Sequence, residues 1–205
     1  MRYDDLTRRQ RDVLDAREPV VLVLGGPGSG KTTTALWTAR VALDELGGDA
    51  RVIFLTFSRT AVAQIAKSAP GVLEACRGRI EISTFHGLAW RIVRAFGRYG
   101  GQGQLPPAVQ SDARVRLLGR DVSQMVYDDL LPAARALFRS TRIRELLAHR
   151  WPLVICDEFQ DTDDEQWEFV RELAAQGRLV LLCDPNQMIY TFLALLNFPW
   201  APRLS

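Results

Sequence analysis

Five short segments with strand-like patterns, separated by longer stretches with helical spacing, set the layout of this 205-residue chain. Four are largely apolar, at residues 20–24, 51–57, 152–156 and 179–183, and in the fifth, at 79–85, Ile80 and Ile82 alternate with Glu81 and Ser83. Short apolar runs bounded by polar residues and glycines are typical of buried strands, and the run at 152–156 is unbroken, as in a strand that is buried on both faces. Five such strands joined by helices predict an α/β fold with a parallel, right-handed wound sheet.

The stretches between these runs carry apolar residues at intervals of three or four, which indicates amphipathic helices. In residues 33–46, Leu36, Ala39, Leu43 and Leu46 fall near one face, and the pattern stops at two glycines. Further helices are predicted within residues 6–16, 59–67, 88–96 and 163–175.

The alternation of strand and helix breaks in the middle of the chain. Residues 97–107 are rich in Gly, Gln and Pro, which indicates a surface loop. Short helical pieces follow at 114–118, 125–131, 133–138 and 143–147, with Pro132 placed as the first residue of a helix. We therefore expect an α/β core in two parts, residues 1–96 and 149–192, a short α-helical insertion at 97–148, and an atypical tail at 193–205.

Charge is distributed unevenly although the net formal charge is only +2. Residues 87–120 hold six arginines and one acid, whereas residues 157–172 are densely acidic. This distribution of charge is typical of a protein that binds polyanions, but it is also found on ordinary solvent-exposed surfaces. No apolar run has the length of a membrane helix, residues 1–5 lack the form of a signal peptide, and the three cysteines lack metal or redox spacing, so we expect a cytoplasmic protein with no membrane partner.

A glycine-rich turn between the first strand and the first long helix has the spacing of a phosphate-binding P-loop. Glycines let backbone N–H groups curl around a phosphate, and the helix N-terminus adds unpaired donors. In this pattern Lys31 binds the β- and γ-phosphates and the Thr32 hydroxyl ligates Mg²⁺. The predicted nucleotide-binding residues here are Gly25, Gly26, Pro27, Gly28, Ser29, Gly30, Lys31, Thr32 and Thr33.

Two acids directly follow the fourth strand, as in a Walker B site. Asp157 is predicted to share Mg²⁺ with Thr32, and Glu158 to polarise a water for attack on the γ-phosphate. A glutamate after the metal-binding aspartate favours hydrolysis of ATP over phosphoryl transfer to a metabolite. Gln187, after the fifth strand, is expected near the γ-phosphate, where a neutral amide can orient that water.

Three further side chains have two open interpretations each. Gln10 either closes a capping box on Thr7 or presents its amide to an adenine edge. Phe57 is either part of the core or an exposed platform, and His86 is either a hydrogen-bonded structural residue or part of a ligand edge. Phe57 and His86 follow the second and third strands, on the side where open α/β sheets bind ligands.

An ordered set of motifs runs along the chain: Gln10, the P-loop, Leu-Thr-Phe at 55–57, Ser-Thr-Phe-His-Gly at 83–87, Tyr-Asp-Asp-Leu-Leu at 127–131, Asp-Glu-Phe-Gln-Asp-Thr at 157–162 and Asp-Pro-Asn-Gln-Met-Ile-Tyr at 184–190. Taken together, these motifs resemble those of the UvrD/Rep-type superfamily 1 DNA helicases. The resemblance extends from about residue 6 to residue 192, and the motif at 157–162 is its most specific part. The resemblance implies a RecA-like P-loop NTPase fold that binds ATP and Mg²⁺.

The resemblance also implies roles for individual residues. Gln10 would read adenine, Glu158 would be the catalytic base, and Gln187 would sense the γ-phosphate. The expected DNA-binding residues are Phe57, His86, Tyr190 and Phe192. Base stacking on such aromatic side chains contributes about 1–3 kcal/mol per base.

Members of this family use a second motor domain that supplies arginine fingers, and residues 193–205 do not continue the family pattern. We therefore expect this chain to bind ATP and Mg²⁺ with little hydrolysis alone, and to meet single-stranded DNA or a junction of single- and double-stranded DNA. The alternative is a non-catalytic, nucleotide-gated DNA-binding module. A P-loop metabolite kinase is disfavoured, since such an enzyme has no use for the motif at 157–162.

Overall fold

The structure is a computed structural model, and it describes residues 3–97, 109–110 and 125–187. Its strands are β1 (Val20–Leu24), β2 (Val52–Thr56), β3 (Ile80–Thr84), β4 (Val109–Gln110), β5 (Met125–Val126), β6 (Leu153–Cys156) and β7 (Arg178–Cys183). The five predicted strands are therefore confirmed to within one or two residues at each end. Tyr190, Phe192, the helical piece predicted at 114–118 and the tail lie outside the described residues.

One parallel five-stranded sheet runs through the domain in the order β1-β7-β6-β2-β3, and β4 pairs with β5 in a separate, two-residue parallel ladder. Strand β7 thus lies between the strand that leads into the P-loop and the strand that leads into Asp157. The register pairs Leu24 with Cys183 and Cys156 with Leu181. Because the strands are parallel, the segments that follow β1, β6 and β7 emerge at one edge.

Successive strand residues point to opposite faces and enter two separate hydrophobic clusters. Ile53, Val154 and Leu181 face one cluster, whereas Phe54, Ile155 and Leu182 face the other. Helices cover both faces, which gives the α/β fold expected of a RecA-like P-loop domain.

The described helices are α1 (Arg8–Asp15), α2 (Lys31–Leu46), α3 (Arg59–Ser68), α4 (Pro70–Ala75), α5 (Phe85–Phe96), α6 (Tyr127–Leu137), α7 (Thr141–Arg150) and α8 (Asp164–Leu173). Side chains cap several of them, as Ser58 does for α3 and Asp163 for α8. Among the residues that the structure describes, none of the helices combines the length and the apolar character needed to cross a membrane.

The position predicted for Pro132 is wrong. It lies inside α6, which replaces the two shorter helices predicted on either side of it. A proline there removes one backbone hydrogen bond. Leu130, Leu131, Ala134 and Leu137 on the same helix are buried, so packing offsets this loss.

Helices α6 and α7 lie in the region predicted as an insertion, and they share a hydrophobic cluster with the sheet. Leu130, Leu137, Ile143 and Leu147 belong to the same cluster as Val154 of β6. The boundaries of the insertion itself stay a prediction. Helix α4 was missed from sequence, although Pro70 stands at its first position, where proline is favoured.

Candidate nucleotide site

The P-loop connects the end of β1 to the start of α2. The Gly25 N–H donates to the Cys183 carbonyl at 3.1 Å, which continues the sheet ladder to β7. Gly28 and Gly30 have φ values of +72° and +83°, conformations that favour glycine. Pro27, Gly28 and Ser29 are exposed at the tip of the loop.

Helix α2 begins at Lys31, and no side chain caps its N-terminus at Gly30. The first N–H groups of a helix have no partner within the helix and carry its positive dipole end. An uncapped helix start behind a glycine-rich loop is therefore suited to a bound phosphate. Thr32 and Thr33, predicted to take part in this site, lie in the first turn and are partly exposed.

The Lys31 ammonium group folds back over its own loop. Its Nζ donates to the carbonyl oxygens of Gly25 and Gly26, the second at 3.1 Å. These contacts hold the cation inside the curve of the loop. If a phosphate bound in this curve, Lys31 would contact its charged oxygens in place of the two carbonyls, because charged oxygens form stronger hydrogen bonds with an ammonium group.

Gln10 closes the capping box with Thr7, which confirms the first interpretation of this residue, and it also lies beside the P-loop. Its Oε1 accepts from the Thr7 N–H at 2.9 Å, and its Nε2 donates to the Ser29 carbonyl at 3.4 Å. A Cβ on Gly30 would lie 2.9 Å from the same Nε2. The contact brings α1 and the loop together, and recognition of adenine by Gln10 stays a prediction.

Asp157 and Glu158 follow β6 at the same edge of the sheet. Asp157 is 6% exposed, and burial together with the neighbouring Glu158 raises its pKa to about 6, while Lys31 acts in the opposite direction. Glu158 has a φ of +48°, which is strained for a residue with a side chain. Backbone strain of this kind is concentrated at functional sites.

A chain of hydrogen bonds joins Glu158 to the segment after β7. The Gln160 Nε2 donates to Glu158 Oε2 at 2.6 Å, and the Asp184 N–H donates to Gln160 Oε1 at 3.0 Å. Asp184 is 1% exposed, and its Oδ2 accepts from Gln187 Nε2 at 2.9 Å. The predicted base and the predicted sensor are therefore linked through two residues to which the sequence analysis gave no role.

These residues fit a nucleotide with a bound cation. The loop and the start of α2 could offer N–H groups and Lys31 to phosphates, and Asp157 and Thr32 could offer hard oxygen ligands to the cation. Among the described residues there is no group of three or more His, Cys, Asp or Glu that could hold a metal ion. One carboxylate and one hydroxyl, from Asp157 and Thr32, are a donor set that suits Mg²⁺, which is commonly bound through one or two carboxylates together with phosphate oxygens and water.

Aromatic side chains lie at the ends of the neighbouring strands β2 and β3. The Phe57 ring is 5.1 Å from that of Phe85 and packs partly against the core. The His86 ring meets Tyr127 edge-on, with 5.5 Å between ring centroids. Both are partly buried, so each combines a structural contact with some accessible surface.

Gln160 and Asp184 are the functional candidates that sequence reasoning missed. Each stands in a motif that the sequence analysis quoted, two or three positions from a residue that received a role. For Asp184 the available signal was a polar residue directly beyond a buried strand, and for Gln160 it was membership of the motif that follows β6. Their mutual contact, however, depends on β6 and β7 being neighbours, which only the folded sheet shows.

Comparison with known sequences identifies the family. The family described as AAA domain matches residues 10–193, which is most of the chain. The chain belongs to this family. The motif-based recognition of a UvrD-like superfamily 1 helicase N-terminal domain is confirmed by the relatives described next.

The chain is similar to the DNA helicase II proteins of Salmonella typhimurium and Escherichia coli, with 25% and 24% identity over 91% of this chain and 34% of each relative. It is also similar to ATP-dependent DNA helicase UvrD1 of Mycobacterium tuberculosis, with 24% identity over 92% of this chain and 34% of the relative. A shorter region, 32% of this chain, is 46% identical to 6% of the RecBCD enzyme subunit RecB of Mycolicibacterium smegmatis. The chain spans about a third of the length of the helicase II and UvrD1 relatives.

Proposed function

We propose that this UvrD-like domain binds ATP with Mg²⁺ and acts as the ATP-hydrolysing half of a motor that moves along single-stranded DNA. The observation that carries the proposal is the sheet order β1-β7-β6, which gathers the P-loop, Asp157 with Glu158, and Gln187 at one edge. Names of the relatives, DNA helicase II and ATP-dependent DNA helicase UvrD1, support the same class of activity.

In this proposal each residue of the site has a separate task. Lys31 and the N–H groups of the loop bind the phosphates, and Gln10 contacts the adenine. Thr32 and Asp157 hold Mg²⁺, which supplies positive charge to the reacting phosphate. Glu158 accepts a proton from the attacking water, and Gln187 orients that water and senses the γ-phosphate.

We propose that turnover by the 205-residue chain alone is weak, and that arginine fingers come from a second motor domain in the same polypeptide or in another. An arginine finger contributes about 10³ to 10⁵ in rate at related phosphoryl-transfer sites. The cytoplasm is the proposed location, where ATP and DNA meet. The free, buried state of Cys76, Cys156 and Cys183 agrees with a reducing compartment.

The test is ATP binding and hydrolysis across a range of protein concentrations, with and without single-stranded DNA, for the wild type, Lys31→Ala and Glu158→Gln. We expect ATP binding in the wild type, its loss in Lys31→Ala, and its retention in Glu158→Gln. Turnover that rises faster than linearly with concentration, and that both variants lose, would mean that self-association completes the site. Failure of the wild type to bind ATP would refute the proposal.

For DNA, the structure supports His86 as the sharper test residue, since Phe57 also packs on the core. The chain has two histidines, and the other, His149, is exposed on α7. We expect His86→Ala to weaken binding of a fluorescent oligothymidylate, measured by anisotropy, by about 5- to 100-fold, as loss of one stacking contact predicts. His149→Ala is the control. An equal effect of both variants would argue against binding of single-stranded DNA at this edge of the sheet.

A further inference from the structure

Gln160 occupies a buried position between two segments that carry predicted functions. It lies in the short 3-10 turn Phe159–Asp161 directly after Asp157 and Glu158, and it is 7% exposed. Both ends of its amide are hydrogen-bonded, one to Glu158 and one to Asp184. A buried amide that is satisfied on both sides holds its two partners at a fixed separation.

The chemistry of the two partners fixes the orientation of this amide. A backbone N–H only donates, so the atom that faces the Asp184 N–H must be the amide oxygen. The amide NH₂ then faces the Glu158 carboxylate, which only accepts when ionised. No other orientation satisfies both groups, and the 2.6 Å separation between Nε2 and Oε2 is short, as in charge-assisted hydrogen bonds.

Hydrogen bonds from Asn186 and Gln187 to the Asp184 carboxylate extend this chain of contacts towards the P-loop. The two carboxylate oxygens of Asp184 accept from the Asn186 N–H at 2.9 Å and from Gln187 Nε2 at 2.9 Å. The side-chain nitrogen of Asn186, Nδ2, lies 3.8 Å from the position that a Cβ on Gly26 would occupy. A shift of the Asp184 backbone would therefore move both the Gln187 side chain and Asn186, which lies beside the phosphate-binding loop.

We propose that Gln160 is a positioning residue that couples the place of the Glu158 carboxylate to the conformation of residues 184–187. This inference rests on the proposed function, because it assigns Gln160 to the link between the base and the γ-phosphate sensor. In this role Gln160 acts through Glu158 and Asp184. Through its two hydrogen bonds, a displacement of the Glu158 carboxylate changes the position of residues 184–187, and the reverse also holds.

Two substitutions separate the two hydrogen bonds. Gln160→Met keeps the length of the side chain and removes both bonds. Gln160→Glu keeps an acceptor for the Asp184 N–H, but it replaces the donor to Glu158 with a second carboxylate. Ile143→Val serves as the control for lost stability, since it removes one methyl group from the buried core on α7, outside the segments 157–161 and 184–187.

The first measurement is hydrogen exchange of single backbone amides by NMR, without nucleotide or metal. We expect exchange at Asp184 to be about tenfold faster in Gln160→Met than in the wild type, with the interior of β7 unchanged, because loss of one hydrogen bond opens the segment locally. Gln160→Glu should restore slow exchange at Asp184. Uniform acceleration along β7, as expected for Ile143→Val, or no change at Asp184 would overturn the proposal.

The second measurement adds Mg²⁺ and a non-hydrolysable ATP analogue and follows the amide signals of Asn186 and Gln187. We expect the wild type to show shifts that Gln160→Glu reduces at least threefold when each protein is saturated with the analogue. Equal shifts in both proteins would overturn the coupling. A wild type that does not bind the analogue would refute the proposed function instead, while the exchange data would still report on the Asp184 link.

Discussion

The side-chain nitrogen of Gln10 donates to the carbonyl oxygen of Ser29 at 3.4 Å, and this contact joins the first helix to the tip of the phosphate-binding loop. The same nitrogen would lie 2.9 Å from a Cβ on Gly30, closer than real Cβ contacts allow. The contact connects two residues that are 19 positions apart in sequence.

From this contact we predict that Gly30→Ala is slightly more harmful to stability than Gly28→Ala, because the added Cβ must displace the flexible end of the Gln10 side chain. Both glycines have positive φ, and an alanine there costs about 1–2 kcal/mol. Only Gly30 also meets Gln10, whereas a Cβ on Gly28 has nothing within 4 Å. Urea denaturation of both variants, each with and without Gln10→Ala, measures the difference. If Gln10→Ala does not narrow the gap between the variants, the steric contact is not responsible.

The two lysines of the chain allow a matched test of nucleotide binding. Lys31 lies inside the P-loop, whereas Lys67 is exposed at the end of α3. Loss of a hydrogen bond to a charged group costs about 1.5–3 kcal/mol. We therefore expect Lys31→Ala to weaken binding of a fluorescent ATP analogue by at least tenfold and Lys67→Ala to leave it unchanged. Similar affinities in both variants would place the phosphates elsewhere.

The buried position of Asp157 predicts a dependence of stability on pH. Its pKa is raised from 3.8 to about 6 in the folded protein, mainly by burial and secondly by Glu158. The folded state thus holds this proton more tightly than the unfolded state does. The contribution of Asp157 to the free energy of unfolding is fully favourable below about pH 4, and it falls as pH rises towards about 6. The loss amounts to up to about 3 kcal/mol.

Asp157→Asn should remove this dependence. We expect the difference in unfolding free energy between Asp157→Asn and the wild type to grow in favour of the variant between pH 4 and pH 6, and then to level off. Urea denaturation in metal-free buffer at a series of pH values measures it. A difference that is constant across this range would mean that Asp157 titrates normally.

Arg135 offers a test of ion pairing at the packing of α6 on α8. Its guanidinium group contacts the carboxylates of Glu165, Glu168 and Glu172, with only 26% of the side chain exposed. Hydrogen bonds, first of all that with Glu172, raise the pKa of Arg135. We expect Arg135→Met to remove the ion-pair partner of Glu165 and Glu172, while Glu168 keeps its pair with Arg171. The free energy of unfolding should fall by about 1–3 kcal/mol at low salt.

The control for Arg135 is Arg40→Met, which removes one pair with the exposed Asp44 at 3.9 Å. Exposed pairs of this type contribute about 0–1 kcal/mol. Thermal and urea denaturation at low and high salt compare the two variants. Because salt screens repulsion among the carboxylates, the cost of Arg135→Met should shrink at high salt. A cost that does not depend on salt would assign the effect to packing of the side-chain stem.

Sequence alone predicted the five strands of the sheet and the chemistry at their ends. Strands such as Val20–Leu24 and Leu153–Cys156 are recognisable because a buried strand needs an unbroken apolar run. Lys31 and Asp157 could be found because their spacing from these strands is short and local. The capping box of Gln10 was predicted for the same reason, since it involves residues only three positions apart.

Tertiary structure decided what depends on contacts between distant segments. The place of β7 between β1 and β6 follows from long-range pairing, which no local pattern encodes. This order creates the link from Glu158 through Gln160 to Asp184, 24 residues further along the chain from Gln160. Local rules also favoured Pro132 at the start of a helix, but burial of the surrounding leucines keeps it inside one. At Pro132 the free energy of packing outweighs the local preference, and that term exists only once the chain has folded.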